Sequence, residues 1–290
     1  MIPFINNVFF LEPIIKQLKK NMVGTDYDIV VINDAPKKKE KTQIKIISIL
    51  SRRLDCHEEI NEECKRLNVT HINIPENIHP WRNSSHGSNR HAEIVNWFLK
   101  NFETLYPNYK TIDFLCLHDA DLFLVKPTNF NQVIKNYDII APMIKSKNLY
   151  YPQPSVMFIN LRTVTNYKEM DFNMIPNADM GGRIHYFLKR NKNLKILEAG
   201  LFDGFWNDNF EKEGNFIKKI EFNGGENYLH YYDIWLDERF VHLRWGWGAG
   251  RGEPQHNRNL ETYITKIKKV FELYDIELDF NKWINKNTTT

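Results

Sequence analysis

In the segment FLCLHDADLFLVKP two carboxylates, Asp119 and Asp121, stand one residue apart directly after an apolar run. Alternate residues of an extended chain project to the same side. Both acids can therefore face one hard cation such as Mg²⁺ or Mn²⁺, with Ala120 between them. A divalent ion held in this way can bridge a diphosphate and offset the charge that builds on it as it leaves. His118 adjoins the pair and is read as a neighbour of the site, not a ligand. Farther along, FVHLRWGWGAGRGE offers a second kind of chemistry. Gly246, Gly248, Gly250 and Gly252 let the backbone approach a phosphate closely, and Arg244 and Arg251 supply forked donors for its oxygens. Trp245 and Trp247 suit either packing or stacking on a base or sugar ring.

Three more acids are candidates for proton transfer. Asp179, in NADMGGRIHYFLKR, stands at an expected helix start, where an acid also serves as a cap. Asp203 and Asp208 lie in GLFDGFWNDNF, an aromatic-rich stretch suited to an acceptor site, with Asp208 the weaker choice. Asp179 and Asp203 are the candidate catalytic groups. Cys56, His57, Cys64 and His71 lack the paired Cys spacing of a structural zinc site, so zinc is not expected there.

The elements that must position these residues alternate between short apolar runs and helical periodicity, which predicts an α/β protein with a mainly parallel central sheet flanked by helices. Strands are expected near residues 2–5, 28–32, 71–74, 112–117, 138–142 and 156–160. Helices are expected near 11–20, 44–54, 58–67, 89–102, 180–190 and 260–274. The run before the acids is almost wholly apolar, as suits a central strand covered on both faces. Ligands of open α/β sheets bind at the carboxyl ends of the strands, which is where Asp119 and Asp121 fall.

A chain of 290 residues can bury a substantial core, and one domain with a C-terminal helical appendage is expected. Its formal net charge of +3, from 39 basic and 36 acidic residues, gives no reason to expect a nucleic-acid partner. The basic run Lys37–Lys41 reads as a solvated loop. No stretch approaches the roughly 20 apolar residues that span a bilayer, and MIPFINNVFFLEP lacks the pattern of a secretory signal. Three cysteines make no disulfide framework, so a reducing, cytoplasmic setting is expected and the sequons at Asn68 and Asn83 are read as idle.

With its DxD pair at the end of a central strand, the chain resembles the GT-A glycosyltransferases. The resemblance covers the first ~165 residues and implies a Rossmann-like GT-A fold. Residues 1–257 would form the catalytic domain, 1–127 its nucleotide-sugar-binding half and 128–257 its acceptor-binding half and closing loop, with 258–290 a helix and tail. DIVVINDAP is similar to the family's second strand, whose terminal acid, here Asp34, contacts the nucleoside. HGSNRHAEIVNWFL matches the segment beside the nucleotide and supplies Arg90. YPQPSVMFINLRT resembles the strand lining the sugar pocket in glycogenin-like and lipopolysaccharide galactosyltransferase-like members, with Gln153-Pro154-Ser155 where those have Asn-Ser-Gly. The family's C-terminal metal-binding His corresponds to His242.

The implied activity is transfer of a sugar from a nucleoside diphosphate sugar to a hydroxyl of a glycan or glycolipid, with Mn²⁺ or Mg²⁺ as cofactor. Peripheral membrane contact is compatible with such an acceptor. Two other readings compete: a haloacid-dehalogenase-like phosphatase, which also places DxD after an apolar strand, and a non-catalytic module that binds nucleotide sugar or carbohydrate. Phe123 stands where such phosphatases have Thr or Val.

Overall fold

The computed structural model describes residues 2–5, 8, 10–35, 57–75, 78, 87–146, 148–203, 217–219, 231–243 and 260–279. The first half runs β1 (Ile2–Ile5), α1 (Leu11–Asn21), β2 (Val30–Asn33), α2 (His57–Arg66), β3 (Thr70–Asn73), α3 (Gly87–Leu105), β4 (Phe114–His118) and β5 (Leu122–Leu124). It continues with α4 (Phe130–Ile134), β6 (Ile139–Ser146), β7 (Leu149–Pro152), β8 (Val156–Asn160), α5 (Ile184–Arg190), β9 (Ile196–Asp203), β10 (Ile217–Lys219), β11 (Tyr231–Trp235), β12 (Phe240–His242) and α6 (Leu260–Leu273). The helix expected at 44–54 lies outside the described residues.

An eight-stranded sheet is the frame of the molecule. Strands β3, β2, β1 and β4 lie side by side in parallel, as the alternating pattern predicts. Beyond β4 the expectation of a mainly parallel sheet gives way to a mixed one. β8 is antiparallel to β4, and β6 is antiparallel to both β7 and β8 while parallel to β9. Connection length is the reason. Only residues 147 and 148 separate β6 from β7, and a parallel return needs a crossover of a dozen residues or more. The chain therefore doubles back as a hairpin.

β7 and β8 form one interrupted arm of that hairpin. From Ile140↔Phe158 to Met143↔Pro152, β6 advances three residues and its partner six. The surplus falls after Gln153, whose N–H still donates to Pro142 O at 2.7 Å, and makes a bulge around Pro154 and Ser155 that faces the end of β4; bulges re-aim chains beside functional sites.

Side chains alternate between two cores, as strands buried on both faces require. Cys116 of β4 packs into the core shared with α1, α2, β5, β12 and α6, whereas Leu115 and Leu117 pack into the core under α3 and α5. α1 buries Leu11, Ile14, Ile15 and Leu18, one stripe at helical spacing, with Glu12 in its first turn and Lys19 and Lys20 in its last, each complementing the helix dipole. α6 is built into the first core. Phe271 sits with its ring centroid 5.0 Å from that of Phe123.

A second, four-stranded antiparallel sheet runs β10-β11-β12-β5. The turn from β11 to β12 places Leu236, Asp237 and Glu238 in the left-handed region, at φ 51°, 54° and 62°. Each non-glycine residue there costs roughly 1–2 kcal/mol. Hydrogen bonds hold the turn: Leu236 N to Ala199 O at 3.1 Å, Arg239 N to Leu236 O at 3.2 Å and Val125 N to Arg239 O at 2.8 Å. Glu238→Gly removes the Cβ strain and gives up the exposed ion pair with Lys126, which contributes little. It should stabilise the fold by about 1 kcal/mol and raise the thermal midpoint by roughly 2–4 °C, while Glu238→Val lowers it.

Candidate metal centre

At the end of β4 the chain leaves the large sheet and enters the small one within three residues. Asp119 N donates to Ser155 O at 2.8 Å, which ties the first acid to the β7–β8 bulge. Asp121 leads into β5, which pairs with β12 so that Leu122 faces His242. Leu243 N extends this pairing by donating to Asp121 O at 2.9 Å. Residues more than a hundred positions apart are thereby brought to one point.

His242 Nε2 lies 3.2 Å from Asp121 Oδ1 and 4.0 Å from Asp119 Oδ2. Among the described residues, Asp119, Asp121 and His242 form a group whose ligand atoms all lie within 4.8 Å of one another. Asp121 and His242 are buried, and Asp119 keeps 24% of its side chain exposed, which leaves the group one open side. Two carboxylates and one imidazole are a donor set that could hold a divalent cation. The neighbouring thiol is no rival ligand, because burial pushes Cys116 up to about 12.

Burial raises the Asp119 carboxyl above its usual range; the charges of Asp121 and Asp179 push the same way, and the imidazoles of His91 and His242 oppose them. Two acids this close in a largely buried site repel each other, a cost that a bound cation would offset. Burial also drives His118 down to about 3, so its ring is neutral. Its Nδ1–H donates to Asp119 O at 2.7 Å and its ring meets Phe240 edge-on. His118 is thus a packed neighbour of the group.

The other candidates fall in three places. Asp179 is close enough for its charge to be felt at Asp119. It does not start a helix, however. The chain from 180 to 183 is a turn, because Gly181 takes φ +86°, and α5 begins at Ile184. A Cβ on Gly181 would stand 2.7 Å from Pro152 O, so glycine lets this turn press on the hairpin arm. Asp179 Oδ1 accepts from Met180 N at 2.7 Å, and Asp179 N points at Tyr151 Oη, 3.2 Å away.

Asp203 ends β9 on the same sheet edge as Asp119 but three strands from β4, roughly 14 Å at the usual strand spacing. The structure does not bring its backbone to the acidic pair. Asp34 and Arg90 meet each other. Arg90 Nη2 donates to Asp34 Oδ2 at 2.8 Å, and both side chains are buried. Asp34 Oδ1 is buried with no hydrogen-bond partner among the described residues. Arg244, Trp245, Gly246, Trp247, Gly248, Gly250, Arg251, Gly252, Asp208 and Cys56 lie outside the described residues. Burial pushes the Cys64 thiol up to about 12, and His57 turns Nδ1 to Ala35 O at 2.6 Å, neither of which suits zinc.

Sequence reasoning missed His91, whose Nδ1 lies 3.5 Å from Asp119 Oδ1. Its position directly after Arg90 was the available signal.

Neither a protein-family model nor a curated protein matches the chain. Among solved structures it is similar to A197 from STIV, with 12% identity and a TM-score of 0.28 over 62% of this chain and 84% of that one. A likeness of that size decides nothing about fold or function.

The raised Asp119 carboxyl has a readable consequence. The folded state holds that proton more tightly than the unfolded chain, so stability falls as pH rises from the usual carboxylate range through the raised value. In chelator at pH 7, Asp119→Asn should therefore unfold at a higher temperature than wild type. Mn²⁺ at about 100 times its dissociation constant adds about 2.7 kcal/mol to the wild type and should reverse that order. Thermal unfolding by circular dichroism reads both.

Proposed function

We propose that the chain is a divalent-metal-dependent glycosyltransferase of the GT-A type. In this reading it moves a sugar from a nucleoside diphosphate sugar to a hydroxyl of a glycan or glycolipid acceptor. The observation that carries the proposal is the convergence of Asp119, Asp121 and His242 at the carboxyl end of β4. Its place in the topology adds support. From β1 the sheet steps outward through β2 and β3 on one side, while β4 lies on the other. The carboxyl ends of β1 and β4 thus flank a topological switch point, where open α/β sheets bind ligands.

Asp34 directly follows β2 on the same edge, and its buried Oδ1 has unused acceptor capacity suited to an N–H of a nucleoside. Asp119, Asp121 and His242 would hold the cation, which supplies charge neutralisation to a departing diphosphate. Asp179 stands nearby as the carboxylate able to take the acceptor's proton in an inverting transfer. In a retaining transfer that duty falls to the leaving phosphate. Arg244 follows Leu243 in sequence, and the Gly/Arg run it opens would supply further phosphate donors.

The two described cysteines, Cys64 and Cys116, are free. Among the described residues no helix is long and apolar enough to cross a membrane.

Donor hydrolysis and transfer, measured with Mn²⁺ across a panel of nucleotide sugars, test the proposal. Asp121→Ala or chelation should lower the rate by ~100-fold or more, since a bound cation stabilises developing charge by several kcal/mol. Turnover that survives both overturns it. Aryl-phosphate hydrolysis lost in Asp119→Asn would point to a phosphatase instead.

A further inference from the structure

We propose that His91 is a positioning residue that fixes the Asp119 carboxylate for cation binding, an inference that rests on the metal centre described above. The two acids of the pair are held in different ways. Asp121 is locked by strand pairing, with its carbonyl bonded to Leu243 N at 2.9 Å and its carboxylate beside His242. Asp119 lies between β4 and β5, outside either strand; its backbone is held by its N–H on Ser155 O and by its carbonyl, which accepts from His118 Nδ1, while its carboxylate faces only side chains.

Its carboxylate is flanked by two imidazoles, one at each oxygen. Oδ2 faces His242 Nε2 at 4.0 Å, and Oδ1 faces His91 Nδ1 at 3.5 Å. His91 is absent from the group of ligand atoms lying within 4.8 Å of one another. Its ring meets Oδ1, the carboxylate oxygen other than the one that faces His242. That is the place of an outer partner that sets which carboxylate oxygen is free for the ion. The 3.5 Å separation exceeds a good hydrogen bond, and such contacts are commonly long before a ligand binds.

α3 makes a rigid platform for this task. Ala92, Val95, Phe98, Leu99 and Phe102 are buried at helical spacing in the second core. Arg90, one residue before His91, is pinned by its buried pair with Asp34. Successive residues of a helix point about 100° apart, so one turn of α3 reaches the end of β2 through Arg90 and the end of β4 through His91. The loops after β2 and β4 are both met by the same helix.

The test is Mn²⁺ alone titrated into the full chain and followed by electron paramagnetic resonance, for wild type, His91→Ala and His91→Asn. His91→Ala should bind Mn²⁺ about 10–100-fold more weakly, the usual cost of losing an outer partner. His91→Asn, whose Nδ2 donates from nearly the same point as the imidazole Nδ1, should return to within a few-fold of wild type. Pulsed measurements of nitrogen coupling should find one imidazole on the ion in all three proteins. Should His91→Ala unfold in chelator well below wild type, His91→Leu takes its place.

Wild type that binds no Mn²⁺ removes the metal centre itself. Wild type that binds, with His91→Ala or His91→Leu binding equally well, removes only the role of His91. An Asn variant as weak as Ala, or a second imidazole coupling lost on substitution, makes His91 something other than a positioning donor and overturns the inference.

Discussion

The backbone pairing of β5 with β12 is the interaction on which the rest depends. Each strand has only three residues, yet their register puts His242 opposite Leu122 and beside Asp121. A slip of one residue would flip every side chain of β12 to the other face and send the imidazole away from the acids. Packing fixes the register. Leu122, Phe123, Leu124, Phe240 and Val241 are all fully buried, with Phe271 of α6 closing over Phe123. The C-terminal helix thus acts on the site from a distance, as a buttress, and the strained left-handed turn before β12 is held by the same surroundings.

The other wall of the site comes from a change of strand direction. The short β6–β7 connection forces an antiparallel return, and the surplus residues of its second arm bulge towards β4. Ser155 uses that bulge to hold Asp119, and Pro152 receives the close approach of Gly181, which brings Asp179 near the pair. The departure from a mainly parallel sheet is therefore part of how the site is made.

Much of the first half was legible in the sequence because it depends on local pattern. The apolar run ending in two acids gave β4 and its carboxylates, and α1, α2, α3 and α6 followed from their buried stripes. The type and order of His242 matched a family resemblance before any geometry was known. What could not be read was pairing between distant segments. Backbone hydrogen bonds carry no residue code, so the three residues of β5 did not stand out as a strand of a second sheet, and β7 and β9 to β11 gave too little periodicity to be seen; the short apolar strand ending at His242 was legible, its partner was not. Asp34 and Arg90 were each assigned to a nucleotide without sign that they bind each other. His91 escaped because its meaning comes from a loop 28 positions away, across the packing of α3 on the sheet.

The centre combines rigid and exposed parts. Asp121 and His242 are buried in paired strands, and Asp119 alone keeps a solvent-facing side, so an ion would enter past the acid whose charge is least comfortable without it. The most direct measurement is anomalous diffraction at the manganese edge from crystals grown with Mn²⁺ and a nucleoside diphosphate. The account predicts one strong peak within coordination distance of Asp119, Asp121 and His242, with the diphosphate on its open side. A peak elsewhere, or none at these three residues, would contradict it.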